Sequence, residues 1–381
     1  MTNPVEIVTI TAKSALFKKG TGEPATSIEL INFSFSNGDE CGFNVVSQKD
    51  LYSIGDSAIY IQPDYCVPET ELFSSFHAPY GDPNKSKLGK NGRIRAIKFN
   101  FSLKDSSEVI YSNGILLPLS EANIPDNTEN LPPEVNSLAE FLGITKYEEP
   151  ERFGNGDAKG GFPGFLYKTD EENAANLKSH INRILIAGER IGWTLKIDGS
   201  SFTQYFKKGV DGWYTGICSR TMEKKIPDDL SLTSDKWVSM SISSGLYEKG
   251  MKYCQENDRE LAFRGEIYGE AVTKGSGNKS NPHTSMKPGL LIFGIDDLSS
   301  GYATKLLHPE VEFICHFADI PHLGAVEICP RDYNELVTMA NEIFESYKGD
   351  KNWTIEGLVV RTLDSNNLSC KVMNNFYDSR K

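Results

Sequence analysis

Five charged side chains, each beside a glycine or at the end of an apolar run, set the chemistry this chain can attempt: Lys196, Arg220, Glu266, Glu356 and Lys371. The first lies in Trp193-Thr-Leu-Lys196-Ile-Asp198-Gly199-Ser200-Ser201, where an apolar lead-in ends in a lysine, an acid, a glycine and two hydroxyls. Burial disfavours the charged form of an ammonium, so a lysine at a strand end is costly unless its amine is used. The glycine lets the backbone turn tightly, or lets a neighbour approach closely. Lys-x-Asp-Gly alone is a weak pattern. It reads equally as a β-hairpin turn whose lysine packs its stem and keeps its head in water. A lone buried Glu–Lys pair is likewise usually structural. Five such groups in order are a stronger signal: an amine for nucleophilic attack, carboxylates for a metal ion, and cations for phosphate. A lysine of ordinary pKa ~10.4 is uncharged about one time in a thousand near pH 7.4, so its site must supply roughly 4 kcal/mol. One positive charge at ~5 Å and an effective dielectric of ~20 supplies about 3 kcal/mol. A divalent cation held by Asp198 and Glu356 would provide it.

The elements that must position these groups are partly legible. Val5–Thr11, Ile28–Phe35, Ala58–Gln62, Ile94–Phe101 and Ile115–Leu117 carry β-branched and aromatic residues between turn signals. Arg93-Ile-Arg95-Ala-Ile97-Lys98-Phe99 nearly alternates charged and apolar residues, as a strand with one wet face does. Asn91-Gly92 before it reads as a hairpin turn. From Asn84 to Lys104 there are seven basic residues (Lys85, Lys87, Lys90, Arg93, Arg95, Lys98 and Lys104) and no acid. Short strands with a basic stripe predict a small OB-type barrel that presents Lys87, Lys90, Arg93, Arg95 and Lys98 to nucleic acid. Any small β-domain with a solvated lysine face has the same pattern.

Ser120–Pro133 is polar, acidic and proline-bearing, and reads as a linker. Ser137–Leu142 reads as a short helix with Ser137 and Glu140 as a capping box and Gly143 as its stop. Gly154–Gly164 is a second loose, glycine-rich stretch. The boundary therefore falls within Glu121–Gly161, giving a barrel over 1–122, a linker over 123–160 and a catalytic domain over 161–381. Thr169-Asp-Glu-Glu172 reads as a capping box that opens a helix with Ala174, Leu177, Ile181, Ile184 and Leu185 on one stripe. The Lys196 strand and Ser201–Tyr205 follow, and Asp211-Gly212 turns the chain into Trp213–Arg220. Leu290–Asp296 is short and apolar, as a buried strand is. Asp332 caps a helix whose Leu336, Val337, Ala340, Ile343, Phe344 and Tyr347 form one apolar face. The polar loop Thr273–Gly289, with Lys274, Lys279, His283 and Lys287, is either a second phosphate-binding surface or a solvated excursion.

A chain of 381 residues exceeds what one core usually serves, so two domains are expected. At 39% hydrophobic and 24% charged residues, its composition is that of an ordinary globular protein. No apolar stretch is long enough to span a bilayer and Met1–Lys13 lacks a signal-peptide core, so a cytoplasmic location is expected, with the nucleus open and no membrane partner. Seven cysteines without a Cys-x-x-Cys pair read as reduced thiols. The net charge of −12 argues against coating nucleic acid through bulk charge, which leaves the basic segment as the place to meet a polyanion.

The ordered groups resemble motifs I, Ia, III, IIIa, IV and V of the covalent nucleotidyltransferases, which comprise ATP-dependent nucleic-acid ligases and mRNA capping enzymes. Lys196-Ile-Asp-Gly-Ser-Ser is similar to motif I, Ser219-Arg220 to motif Ia and Gly265-Glu266-Ile-Tyr-Gly269 to motif III. Phe293 falls where motif IIIa places an aromatic, Glu356-Gly-Leu-Val-Val360 resembles motif IV, and Lys371 the lysine of motif V. Leu142-Gly-Ile-Thr-Lys-Tyr147 and Lys168–Glu172 resemble the run-in to RNA ligases, so the likeness covers most of Leu142–Asn375. DNA ligases and capping enzymes carry an OB domain after motif V. Here the candidate barrel comes first, an order similar to the Deinococcus-type and Naegleria-type RNA ligases. Many RNA ligases carry Lys-x-Lys in motif V, whereas Ser369 and Met373 flank Lys371, so contacts of a second motif V lysine are not carried over.

The resemblance implies an α+β chain: an N-terminal OB-like β-barrel followed by a nucleotidyltransferase (ATP-grasp-like ligase) domain of antiparallel sheets flanked by helices. It implies an ATP-dependent RNA ligase that joins 3′-hydroxyl and 5′-phosphate ends through lysyl-AMP and RNA-adenylate, sealing nicks in RNA repair as a monomer. ATP and Mg²⁺ or Mn²⁺ would be the cofactors and RNA the partner. Lys196 would be the nucleophile, with Asp198 and Glu356 on the metal. Arg220 and Glu266 would hold the ribose hydroxyls, Phe293 would stack on adenine, and Lys371 would contact the α-phosphate. Backbone around Thr194 would read the adenine edge. Two alternatives share parts of this pattern: an mRNA capping guanylyltransferase using GTP, and an RNA-binding protein with an inactive nucleotidyltransferase fold.

Overall fold

The structure, a computed structural model, describes residues 3–106, 108–122, 124, 135, 137–148, 158–168, 170–270, 272, 281–348 and 353–379. The fold mixes α and β and divides into two compact units. One comprises Met1–Glu149, Glu172–Asn182 and Asn375–Lys381; the other comprises Pro150–Glu171 and Arg183–Asn374. The first unit thus takes in two segments that the sequence assigned to the catalytic domain. Specific polar contacts hold them there. The Asn176 amide donates to Gln62 Oε1 at 3.0 Å, and the Ala96 N–H donates to Asp378 Oδ2 at 2.9 Å.

Strands Val5–Lys18, Pro24–Phe35, Val45–Gln48, Ser57–Ile61 and Ile115–Pro118 build the first unit. Val5–Lys18 is central, with Pro24–Phe35 and then Val45–Gln48 on one side and Ser57–Ile61 and then Ile115–Pro118 on the other, all antiparallel. Register shifts at Ile10/Ala12 and Ala15/Phe17 bend the long first strand, as extra residues in one strand do. The Asn113 N–H donates to Asn44 O at 2.9 Å, and the Val46 N–H donates to Ser112 Oγ at 2.9 Å. The two edges of the sheet therefore meet, and it is nearly closed into a barrel. Ile59, Ile61, Val67, Phe73 and Ile115 are buried in one of its cores.

The expected strand over Ile94–Phe101 is shorter and different in kind. Only Ile97–Phe99 and Phe101–Ser102 are extended in pairs, while Lys90–Gly92 forms a 3₁₀ turn in place of a hairpin. The reason is that Arg93 turns inward to Asp64 and Asp378, with its guanidinium over the Tyr147 ring. Charged-apolar alternation does not reveal a buried ion pair.

In the second unit the sheet order is Ala158–Gly161, Met222–Lys224, Gly212–Cys218, Ser200–Gly209, Leu261–Tyr268, Gly289–Asp297 and Thr304–Lys305. A second sheet runs Ser369–Met373, Gly357–Thr362, Ile191–Lys196 and Val326–Ile328, again antiparallel. Phe202, Phe206, Leu261, Phe263 and Ile292 are fully buried in the main core, and helices Lys236–Ser243, Leu246–Asn257 and His308–Phe317 add Val238, Leu246 and Ile314 to it. The helix Tyr333–Ser346 is capped by Asp332 Oδ1, which accepts from the Glu335 N–H. Its buried face is Tyr333, Leu336, Ala340 and Phe344, and Tyr347 lies beyond its end and exposed.

The helix expected after Thr169 begins later. Asn173 caps a 3₁₀ turn, Ala174–Leu177, that leads into Lys178–Ile186, because its side chain accepts from the Ala175 N–H; Thr169 lies outside the described residues. Ser137 caps Leu138–Phe141 as expected, accepting from the Glu140 N–H, while most of Ser120–Pro133 and part of Gly154–Gly164 lie outside the described residues. All seven cysteines are free, and burial pushes the thiols of Cys41, Cys218, Cys254 and Cys315 up to about 12. Among the described residues, no helix is long and apolar enough to cross a membrane.

Candidate active site

Strand register assembles the site. Residues directly opposite in an antiparallel pair share a face, as do alternate residues along one strand. Thr194 lies opposite Val359, which lies opposite Lys371; one step along, Lys196 lies opposite Gly357, and Gly357 opposite Met373. Thr194, Lys196, Val359 and Lys371 therefore occupy one face of the sheet. Lys196 Nζ donates to Glu356 Oε2 at 2.8 Å, and Glu356 is buried while the lysine head keeps partial access to solvent. Glu356 precedes its strand and is fixed by the chain that follows Lys371: the Asn374 N–H donates to Glu356 O, and the Asn374 amide to Ile355 O. Thr194 is 1% exposed, and its hydroxyl has no hydrogen-bond partner among the described residues.

Gly199 explains why the lysine strand is followed by glycine. A Cβ there would lie 2.2 Å from Ile267 O and 2.9 Å from Glu266 Cγ. The residue thus permits close approach of the Leu261–Tyr268 strand, and it does not adopt a positive φ. Ser201 is in register with Glu266, and it lines a small cavity with Thr203, Arg220 and Arg264. Glu266 and Arg220 are thereby brought to one region. Arg220 is engaged there by Asp170, its Nη2 lying 2.9 and 3.1 Å from the two carboxylate oxygens.

Phe293 sits on the adjoining Gly289–Asp297 strand and lines a cleft with Arg361, His308, Ser369 and Glu171. Arg361, five residues past Glu356, reaches across from the other sheet: its Nη1 donates to Phe293 O at 3.1 Å and to His308 Nδ1 at 3.0 Å. Because Nδ1 accepts, His308 carries its proton on Nε2, 3.2 Å from Glu312 Oε1. Behind the cleft, Arg264 is paired with Asp296, which also accepts from the Tyr167 hydroxyl at 2.9 Å. Arg264 Nη1 donates to Tyr167 O at 2.7 Å, and Nη2 has no partner among the described residues. Arg264, Arg361 and His308 were missed from the sequence because each looks like an ordinary strand or helix residue until a distant strand supplies its partner.

His283 is the largest departure within the site. Placed by its sequence in a polar loop that reads as either phosphate-binding or solvated, it is buried, and its Nδ1 accepts from the Asp198 N–H at 3.5 Å. Asn281 Oδ1 fixes the turn beneath it by accepting from the His283 N–H. Burial lowers His283 to about 4 against the partial opposition of Glu356, and burial with Arg361 lowers His308 to about 4. His283 thus lies within electrostatic reach of Glu356, the partner of Lys196, and is tied to the backbone of Asp198. Among the described residues no group of three or more His, Cys, Asp or Glu side chains is poised to hold a metal. Two carboxylates suit a cation that keeps most of its water, such as Mg²⁺. Of the remaining loop residues, Lys287 is described and exposed, and Lys274 and Lys279 lie outside the described residues.

The two histidines give stability a defined pH dependence. Their folded pKa values lie below the ordinary 6.5, so between about 6.5 and 4 the unfolded chain binds more protons than the folded one. Stability is full above pH 6.5 and falls as the pH drops toward 4. Urea midpoints measured across that window should decline, and His308→Gln should flatten the decline; a flat profile in the unsubstituted chain contradicts the burial.

In the basic segment, Lys87, Lys90 and Lys98 are exposed and Arg95 is half-buried, its Nε donating to Lys87 O at 3.2 Å. Lys98 Nζ lies 5.9 Å from the centroid of the Phe376 ring. Arg93 is not part of that surface, for the reason given above.

No family model and no curated protein matches the chain. Solved structures do, over the whole length. A mutant of Naegleria gruberi RNA ligase without ligand superposes with a TM-score of 0.72 at 22% identity, covering 100% of this chain and 99% of that one. The same ligase with PPi gives 0.71 at 23% identity, covering 99% and 98%. A mutant with ATP and Mn gives 0.71 at 22% identity, covering 100% and 99%. This chain therefore shares the fold of that protein.

Proposed function

We propose that this chain is an ATP-dependent RNA ligase that joins 3′-hydroxyl and 5′-phosphate ends. The observation that carries the reading is the pairing of Lys196 with Glu356 at 2.8 Å on a face shared with Lys371 and with the unpartnered, buried Thr194 hydroxyl. An orphaned buried hydroxyl loses free energy unless a ligand satisfies it. An adenine edge would do so. The full-length likeness to a ligase solved with ATP and Mn, with AMP and Mn, and with PPi supports the same assignment.

In this reading the Lys196 amine, having passed its proton on, attacks the α-phosphorus of ATP. An N–P bond forms, the bond to the β-phosphate oxygen breaks, and pyrophosphate leaves. Lys371 lies one rung away and neutralises charge on the α-phosphate. Phe293 stacks on the base, and Arg361 and His308 close the far end of its cleft. Glu266 accepts from a ribose hydroxyl, and Arg220 releases Asp170 to donate to another. Asp198 and Glu356 would hold a hydrated Mg²⁺ or Mn²⁺, which favours the uncharged amine and withdraws charge from the phosphate. AMP then passes to a 5′-phosphate oxygen, and a 3′-hydroxyl displaces it to close the phosphodiester.

We also read the nearly closed sheet of the first unit as an OB-type barrel, its exposed Lys87, Lys90 and Lys98 and half-buried Arg95 holding RNA phosphates, and the second unit as the nucleotidyltransferase. We assign the chain nick sealing as a monomer, with the basic surface of the first unit as a further contact to the RNA. Incubation with a nicked RNA duplex bearing a 5′-phosphate should yield the sealed strand with ATP and Mg²⁺, and no product with GTP. Labelling of the protein by GTP alone would instead identify a guanylyltransferase, and absence of pyrophosphate release with either nucleotide would identify an RNA-binding protein with an inactive site.

A further inference from the structure

We propose that Tyr80 is a stacking platform for an unpaired nucleobase, with Lys85, Lys87 and Lys90 beside it as phosphate contacts. The inference rests on the RNA ligase reading and specifies the substrate further: a broken RNA duplex that carries at least one unpaired, unstacked base beside the break.

Tyr80 is 97% exposed, though a tyrosine usually buries most of its ring. Its backbone is left-handed, φ 56° and ψ 28°, a conformation bulky L-residues rarely adopt, and Gly81 follows at φ 76°. The turn that imposes this is anchored. The Gly81 N–H donates to Ala78 O at 2.9 Å, Ser86 Oγ donates to Phe76 O at 2.8 Å, and His77 Nε2 lies 3.2 Å from Val67 O and Pro68 O. A strained backbone that holds a large ring in water is the signature of a side chain presented to something.

The surroundings say what. Lys85 Nζ lies 5.6 Å from the ring centroid, and Lys87 and Lys90 are exposed in the same segment. Asp82, the single acid from Ala78 to Lys104, is engaged by the N–H and amide of Asn84. An aromatic ring among lysines that have no carboxylate partner among the described residues is the pairing that single-stranded nucleic acid recognises, since the ring stacks on a base and the cations track the backbone. A protein partner would call for a contiguous apolar patch. A fully paired duplex keeps its base faces covered and has nothing to offer the ring.

The test uses the full chain and fluorescence anisotropy at one fixed salt concentration, with two probes: a single-stranded uridine oligomer of about twelve nucleotides, and a blunt, fully paired RNA duplex. Tyr80→Ala should weaken binding of the single strand about tenfold and of the duplex less than about twofold. Tyr80→Trp should bind the single strand as the unsubstituted chain does, with its added indole emission quenched by the oligomer. Equal single-strand affinity for Tyr80→Ala and the unsubstituted chain overturns the proposal, as does an equal loss on both probes. Formation of lysyl-AMP by the unsubstituted chain is measured in parallel. A Tyr80 effect without that adduct keeps the RNA site and removes the ligase reading; the adduct without a Tyr80 effect does the reverse.

Discussion

Replacing Lys196 with alanine should abolish AMP transfer to the protein and lower RNA sealing by at least about four orders of magnitude, as removal of a covalent nucleophile does. The amine sits 2.8 Å from Glu356 at the end of the strand Ile191–Lys196. In that place a lysine has two possible uses, as an ion-pair partner or as the attacking group. Lys196→Arg separates them. A guanidinium keeps the charge and can meet the carboxylate, but it stays protonated and cannot attack phosphorus. If pairing were all that mattered, the arginine variant would retain most activity. The expectation is that it is as inactive as the alanine variant while unfolding in urea near the same midpoint as the unsubstituted chain.

Replacing Glu356 with glutamine should lower the rate of lysyl-AMP formation by about two to three orders of magnitude, the usual cost of removing one well-placed electrostatic group. Glutamine keeps the volume and one acceptor, so the hydrogen bonds that Asn374 makes to the Ile355–Glu356 backbone survive. What disappears is the negative charge that would hold the divalent cation and pair with the lysine ammonium. The loss should shrink as Mg²⁺ is raised if the weakened step is metal binding. Single-turnover measurements at several Mg²⁺ concentrations read this directly. A variant with unchanged rate but reduced stability would mark the pair as structural.

The candidate site residues were legible in the sequence where their chemistry and their position coincide. A lysine, an acid and a glycine at the end of an apolar strand are unusual enough to be noticed; Lys196 and Lys371 lie on strands that flank Gly357–Thr362 in one sheet, and Glu356 immediately precedes that middle strand. Gly199 was legible as a glycine that had to be there, although only the structure distinguishes a tight turn from a close approach to Ile267. What stayed hidden depends on partners far away in the chain. Arg93 reads as one more member of a basic stripe until Asp64 and Asp378 are seen around it. His283 reads as a loop residue until Asp198 donates to it across 85 positions. Arg361 reads as the polar end of a strand until it spans to Phe293 and His308. The same holds for domain membership, since no local pattern announces that Asn375–Lys381 returns to the first unit. The caps expected at Ser137 and Asp332 are present, while the helix expected to open at Thr169, which lies outside the described residues, is preceded by a turn capped by Asn173.

The central claim is that one particular amine becomes covalently bound to AMP. The direct measurement is to incubate the full chain with α-labelled ATP and Mg²⁺ without RNA, digest it, and locate the labelled peptide by mass spectrometry. A single acid-labile, alkali-stable adduct on Lys196, released on addition of pyrophosphate, is expected. Label on any other lysine, or an adduct that persists in Lys196→Ala, contradicts it.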